Sequence, residues 1–263
     1  MRRLAAAGAR LAVLAATLGC WQWAAKSAAS PYFLPPVTIL ADMHQQWFSG
    51  PAAHLWLNSD GTGNLLPSLG RMLGGLAAAG LAGTALGIAI GRIQALSDLT
   101  GPVIHFCRAI PPPAMVPVFL FIFRIGTPME TAAITFGVIW PVLLNAIDGA
   151  QHVHPGHMET ARAFRLGPAQ RLLRVILPSA APKIFAGLRV ALAVSMVLMI
   201  VSEAEGSTDG IGRELSIAQA NLDIPVMWAV IVLLGLLGIA LNAAFLLAER
   251  RALAWQHAAA LTG

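Results

Sequence analysis

Residues His154 to Pro182 read HPGHMETARAFRLGPAQRLLRVILPSAAP and carry Arg162, Arg165, Arg171 and Arg174. Apolar runs long enough to cross a bilayer flank this stretch on both sides. Gly156 to Leu166 has a helix-compatible composition, with Glu159 near its start, where the positive end of a helix dipole favours a carboxylate. Gly167-Pro168 then makes a break, because glycine accepts unusual dihedrals and proline donates no backbone hydrogen bond. A second helix is predicted over Ala169 to Ile176, stopping before Pro178. A helix, a break and a second helix in a basic loop between spans form a device for touching something outside the membrane.

The 263 residues are 57% hydrophobic and 11% charged, with mean hydropathy +0.71, whereas a soluble globular domain averages about 25% charged. The chain therefore belongs in lipid, crossed by spans of about 20 apolar residues. A net charge of +5 would suggest nucleic acid in a soluble protein. Here the charges serve as topology signals at span ends. Cys20 and Cys107 lie in apolar runs and read as small buried hydrophobes without a disulfide.

Arg2 and Arg3 open the chain, followed by an apolar run ending near Trp21 and Trp23. An uncleaved first span competes here with a cleaved signal peptide, and Thr17-Leu18-Gly19-Cys20 faintly resembles a lipoprotein cleavage box. The aromatic pair and the spans that follow favour the uncleaved reading. Residues 27–63 are turn-rich, with a short amphipathic surface helix expected over 37–48. The second span is expected over 64–90, its glycines suiting close packing in lipid, and a turn over 91–100. The third, over 101–123, is interrupted by Ile110-Pro111-Pro112-Pro113 and by Pro117. Backbone groups freed at membrane depth are tolerated only within protein or beside a water-filled cavity. A fourth span (129–150), the basic loop, a fifth span (183–201), a polar exposed stretch (203–223) and a sixth span (224–248) complete the chain.

Six spans put both termini on one side. With that side cytoplasmic, it holds eleven of the 17 Lys and Arg residues. Lys26, Arg71, Arg124 and Arg213 fall on the other side, so the arrangement obeys the positive-inside rule. The basic loop then faces the cytoplasm.

Glu159-Thr160-Ala161 followed by Ile176-Leu177-Pro178 resembles the EAA loop of the inner-membrane permeases of binding-protein-dependent ABC importers. The likeness covers most of the chain and is nearest to the nitrate/sulfonate/taurine-type branch. Asn64-Leu65-Leu66-Pro67-Ser68-Leu69-Gly70-Arg71 resembles the start of that branch's second helix, and Arg108-Ala109-Ile110-Pro111-Pro112 with Pro117 its proline-rich third span. Trp140-Pro141-Val142-Leu143-Leu144-Asn145, Gly187-Leu188-Arg189, and Glu203 with Gly210-Ile211-Gly212 match further landmarks. Two positions depart. Arg165 stands where the branch usually has a glycine, with Gly167 two positions later, and Arg124 stands where a small residue is expected. The first departure leaves the shape of the loop's turn open.

The resemblance implies an all-α membrane protein with the six-helix permease fold of a type I, methionine-importer-like system. It implies an N-terminal span and surface segment (1–63), a transmembrane domain (64–248) with the EAA loop at about 154–182, and a cytoplasmic tail (249–263). Gly156, Met158, Glu159, Thr160, Ala161, Phe164, Arg165, Gly167 and Pro178 are expected to couple the chain to an ATPase. The implied partners are a second copy of the chain, a dimer of cytoplasmic ABC ATPases and a periplasmic substrate-binding protein, in a bacterial inner membrane. ATP and Mg would sit on the ATPases, and no cofactor, metal or catalytic site is expected on this chain. A short stiff helix bearing Met158, Ala161, Phe164 and Leu166 can transmit a push that a slack loop cannot.

Charges inside spans are costly and face a cavity or a partner. Arg108, Pro111, Pro112, Asn145 and Glu203 are the pathway candidates, since a cation beside freed helix ends attracts a small anion of the nitrate or sulfonate kind. A structural Arg108 bonded to loose carbonyls is the competing reading. Glu203 and Glu205 read equally as a gate, a receptor contact or a solvated loop end, and Arg189 as snorkelling or paired with Asp148. A proton-coupled secondary transporter is the rival function, though no internal repeat of the kind such folds use is evident. An intramembrane hydrolase would need His105 to meet Ser195, which lacks the glycine turn that exposes a nucleophile. His152, His154 and His157 show no zinc spacing, and no phosphate-binding GxxxxGK[ST] loop exists.

Overall fold

In the computed structural model the described residues are 2–52 and 56–255, the side chains of 2–7 excepted; these residues are helical, with turns between, and contain no strand. The side chains of Arg2 and Arg3, and the tail beyond Trp255, lie outside the described residues. Four of the described helices are long and apolar enough to cross a membrane: 61–92, 127–151, 168–206 and 224–252. A bent pair of helices makes up to a fifth. The expected first span is the helix α1, Arg2–Ala28, on which Cys20 is exposed rather than buried. The chain divides into two compact units, residues 1–66 with 214–237, and residues 67–213 with 238–263.

In the second unit, α3 (Leu66–Arg92) and α6 (Thr127–Gln151) pack through a glycine stripe. Gly75 abuts Ile134, Gly83 abuts Val142, Gly87 abuts Ala146 and Gly91 abuts Ala150. Both residue numbers advance together, so the helices run parallel. A Cβ on Gly87 would lie 2.5 Å from the Ala146 Cβ; only the missing side chains let the backbones approach this closely. Against an adjoining face of α6, which shares Val142, lies α9 (Leu177–Gly206), where Gly137 meets Leu198, Gly149 meets Ala180 and Gly187 meets Val142. Here one number rises as the other falls, so α9 is antiparallel to α6. Ile134, Val138, Val142 and Ala146 are fully buried between these neighbours.

Two sequence expectations change here. The turn expected over 91–100 is instead mostly helical, because α4 (Gln94–Ala109) begins directly after an extended Ile93. The break falls later, where Ile110 and Pro111 are both extended, as residues preceding proline prefer. α4 and the segment Pro112–Phe123, which ends in α5 (Val116–Phe123), bend by 87°. Nor does the helix stop before Pro178. A π-helical turn, Leu172–Ile176, carries the chain into α9 with proline in its first turn. The same device, Gly61–Leu65, precedes Pro67 at the start of α3. A π turn shifts the hydrogen bonding from i+4 to i+5, which makes room for a residue that lacks the donor.

In the first unit, α2 (Pro36–Trp47) is the expected amphipathic segment, burying Ile39 and Trp47. Trp21, Phe33 and Trp228 form an aromatic cluster with ring centroids 5.6 to 6.4 Å apart, and Trp228 Nε1 donates to the Tyr32 carbonyl at 3.0 Å. Glu214 accepts from Gln46 Nε2 at 2.6 Å and from Trp47 Nε1 at 3.0 Å. The last two helices are α10 (Ile211–Ala220) and α11 (Ile224–Ala252).

Candidate functional site

The stretch between α6 and α9 folds as an elbow. Its first helix, α7 (Pro155–Ala163), starts with a proline whose absent donor costs nothing there. His154 caps it, with Nδ1 accepting from Gly156 N at 3.2 Å, and Thr160 Oγ1 donates back to the Gly156 carbonyl at 2.8 Å. The inward face is Met158 and Ala161. Ala161 is buried, and Met158 packs on a cluster of Ile88, Ala146, Ala150, Val153, Ile176, Ala180 and Ile184. The elbow is therefore rooted on α3, α6 and α9 together. Glu159 and Phe164 are exposed, Phe164 at 76%.

α7 ends in a Schellman motif: Leu166 N donates to the Ala161 carbonyl at 3.0 Å and Arg165 N to the Arg162 carbonyl at 2.9 Å. The motif requires a left-handed residue, and that residue is Arg165, at φ +52°. The turn that the usual glycine would make is thus kept, at a cost of about 1–2 kcal/mol for an L-residue. A cation at a helix C-terminus returns about 0.3–1 kcal/mol. Gly167 is ordinary by contrast, with φ −65° and open space where a Cβ would stand. Beyond it a single turn, α8 (Pro168–Arg171), is held by Arg171 Nε donating to the Leu166 carbonyl at 3.1 Å. An open groove of about 490 Å³ runs behind α7, lined by Ala161, Phe164, Leu166, Val175, Pro178 and Trp255 among others.

The pathway candidates do not form one cluster. Arg108 is exposed in the last turn of α4. Pro112 packs on α6 at Gly137, and Asn145 Nδ2 donates to the Pro141 carbonyl at 2.8 Å within α6. Glu203 is buried, 1% exposed, in an ion cluster that sequence reasoning missed. There Arg71 Nε lies 2.5 Å from Glu130 Oε2, Nη1 lies 3.1 Å from Glu203 Oε1, and Nη2 lies 2.5 Å from Asp209 Oδ1. Glu203 Oε2 also accepts from Ser68 Oγ at 2.8 Å and Gly212 N at 2.9 Å. Gly210 stands at φ +105°, where a Cβ would sit 2.6 Å from the Glu203 carboxylate.

Arg71 is accordingly a buried structural cation rather than an outer-side topology charge. The polar stretch expected to be exposed from Glu203 onward is partly so, with Glu205 and residues 219–223 exposed, but it begins with the buried Glu203 at the end of α9 and continues as α10. The signals were an arginine inside a glycine-rich apolar run and Glu130 at the head of a span, both costly unless paired. The pair imagined between Arg189 and Asp148 is replaced by three others. Arg189 pairs with Glu249, while Asp148 pairs with Lys183 and His152. Ser195 is buried and spends its hydroxyl on the Leu192 carbonyl.

Residues 81–253 match the family described as binding-protein-dependent transport system inner membrane component. The chain belongs to that family. Among curated relatives of this permease, the taurine transport system permease protein TauC of Escherichia coli (strain K12) is 30% identical over 239 residues, covering 89% of this chain and 84% of that one. The nitrate import permease protein NrtB of Leptolyngbya laminosa is 32% identical over 176 residues, 67% and 63% of the two chains. The bicarbonate transport system permease protein CmpB of Synechococcus elongatus is 33% identical over 138 residues, 52% of this permease and 50% of that one. With that last relative the permease aligns over only about half of the relative's length. Among solved structures, a chain of the MetNI methionine ABC transporter in an inward-facing conformation superposes with a TM-score of 0.64 at 19% identity, over 72% of this permease and 94% of that chain. That likeness shows the fold, that of an ABC importer permease.

Proposed function

We propose that this chain is the membrane-spanning subunit of an ATP-driven importer that takes up a small anionic solute handed over by a periplasmic binding protein. It works as a homodimer in a bacterial inner membrane, with both termini cytoplasmic and two ABC ATPase subunits docked from the cytoplasm. ATP and Mg sit on those subunits. Residues 64–248 form the transmembrane domain and 249–263 a cytoplasmic tail.

The observation that carries this reading is the elbow: a short helix capped at both ends, with Ala161 buried, and rooted by Met158 on the cluster shared by α3, α6 and α9. A force applied to Glu159, Thr160, Phe164 or Arg165 has no slack to take up before it reaches the long helices. Gly156 lies in the first turn of α7 and Pro178 in the first turn of α9, where the elbow runs into that helix. Closure of the ATPases therefore tilts the spans and opens the pathway outward. An anion is favoured by the exposed Arg108 beside the break at Pro111 and Pro112. The relatives whose names specify nitrate, bicarbonate and taurine agree in small size. Asn145 and Glu203 complete the proposed pathway set.

The test is uptake of labelled nitrate, bicarbonate and taurine, with ATP hydrolysis, in proteoliposomes holding the full assembly. Glu159→Ala should leave the assembly's ATPase running while uptake collapses. Uptake that persists with an ATPase unable to hydrolyse ATP, driven by a proton gradient, would instead establish the secondary-transport reading.

A further inference from the structure

Arg165 occupies the position in the elbow whose backbone suits glycine, at φ +52°. Local electrostatics do not account for an arginine there. Arg162 already places a cation in the last turn of α7 without backbone strain, and the dipole returns less than the strain takes. Nor is the guanidinium used inside the chain. It is exposed, and among the described residues it makes no ion pair or side-chain hydrogen bond. Arg171 differs, being spent on the Leu166 carbonyl. The tip of the elbow thus presents a strained, unpartnered arginine next to Phe164, which is itself 76% exposed. Strain held at an exposed position points to a contact that the isolated chain does not contain.

We propose that Arg165 is the charged specificity contact of the elbow, meeting a carboxylate on the ATPase surface that receives α7. This rests on the function proposed above and adds the chemistry of the partner surface: acidic beside an apolar pocket. Phe164 fills the pocket and excludes water, which strengthens the neighbouring ion pair. A planar guanidinium meets a carboxylate through two parallel N–H bonds, which an ammonium cannot do. A mismatched ATPase without that carboxylate leaves a cation facing an apolar rim, so the pair also selects the partner.

The test uses the full-length permease in nanodiscs of neutral lipid and the ATPase subunit that co-purifies with it, with affinity measured across ionic strength. Arg165→Gly relieves the backbone, so its thermal unfolding midpoint should be no lower than that of the unaltered chain. Its affinity for the ATPase should nevertheless fall about tenfold at low salt and lose most of its salt dependence. Arg165→Lys should fall between the two. Arg165→Gly binding as tightly as the unaltered permease would overturn the inference. So would a loss seen only in vesicles containing anionic lipid, since a phosphate headgroup would then be the contact. If no ATPase subunit co-purified with the unaltered permease, the proposed function itself would fail.

Discussion

Arg71 and Glu130 pair at the head of the same register that packs α3 on α6: the offset matching Gly75 to Ile134 and Gly87 to Ala146, carried back one turn, joins these two. The glycine stripe draws the helices together, and the ion pair closes the end of the stripe. α9 joins the same cluster, because Glu203 accepts from Arg71, Ser68 and the Gly212 amide. One guanidinium thus ties three helices and the 207–210 turn at the end opposite the elbow.

Removing that cation should be among the most damaging single changes in the chain. Arg71→Ala leaves Glu130 and Glu203 buried without a counter-charge, a loss of about 3–5 kcal/mol. Thermal unfolding in detergent checks this, with Arg71→Ala expected to leave little folded protein at room temperature. Arg71→Met combined with Glu130→Met and Glu203→Met should recover part of the loss. An Arg71→Ala chain that unfolds at the normal temperature would show that the cluster contributes nothing.

The glycine stripe makes a graded prediction. Gly87→Ala puts a Cβ 2.5 Å from the Ala146 Cβ and 2.7 Å from the Leu143 carbonyl oxygen. Overpacking of this kind costs about 1–3 kcal/mol. Gly74→Ala, with nothing within 4 Å of the new Cβ, should be neutral or slightly stabilising because alanine favours helix. Equal unfolding midpoints for the two variants would remove the stripe from the account of why α3 and α6 pack.

Glu214 gives a pH dependence outside the spans. Burial holds its carboxyl above the ordinary value of about 4.5, and the hydrogen bonds from Gln46 and Trp47 pull it down only in part. Between the ordinary and the raised value the folded chain holds a proton that the unfolded chain has released. The contribution to stability is therefore fully present below about 4.5 and is lost as pH rises through the window above it. Hydrogen exchange in α2 should accordingly quicken as pH rises through that window, beyond the intrinsic base catalysis. Glu214→Gln should remove the excess. A wild-type profile identical to that of Glu214→Gln would place the pH sensitivity elsewhere.

What the sequence disclosed and what it hid follow one physical line. The long spans were legible because 20 apolar residues have few alternatives, and the elbow because Glu159 to Pro178 carries local punctuation. The start of α4 and the passage through Pro178 were not. A proline predicts a stop unless the preceding turn widens, and a π turn leaves no mark on composition. Arg71, Glu130, Glu203 and Asp209 were hidden for a different reason. Each looks like a topology charge or a loop end by itself, and only the parallel and antiparallel registers of α3, α6 and α9 bring them together. The two departures at 124 and 165 were visible as odd residues, but the positive φ that both adopt was not.

Arg124, the second of those departures, closes α5 at φ +63° and ψ −179°, a region open in practice only to glycine and costing other residues about 1–3 kcal/mol. Glycine in its place gives back part of that relief, because it leaves the unfolded chain with about 0.4–1 kcal/mol more conformational entropy to lose. The net expectation for Arg124→Gly is a gain of about 1 kcal/mol, or about 2–4 °C in unfolding midpoint for a chain of this size. Arg124→Ala, which relieves nothing, should gain nothing. Thermal unfolding of the two variants side by side decides the matter. If alanine raised the midpoint as much as glycine, the benefit would come from losing the arginine side chain, and the backbone at 124 would carry no strain.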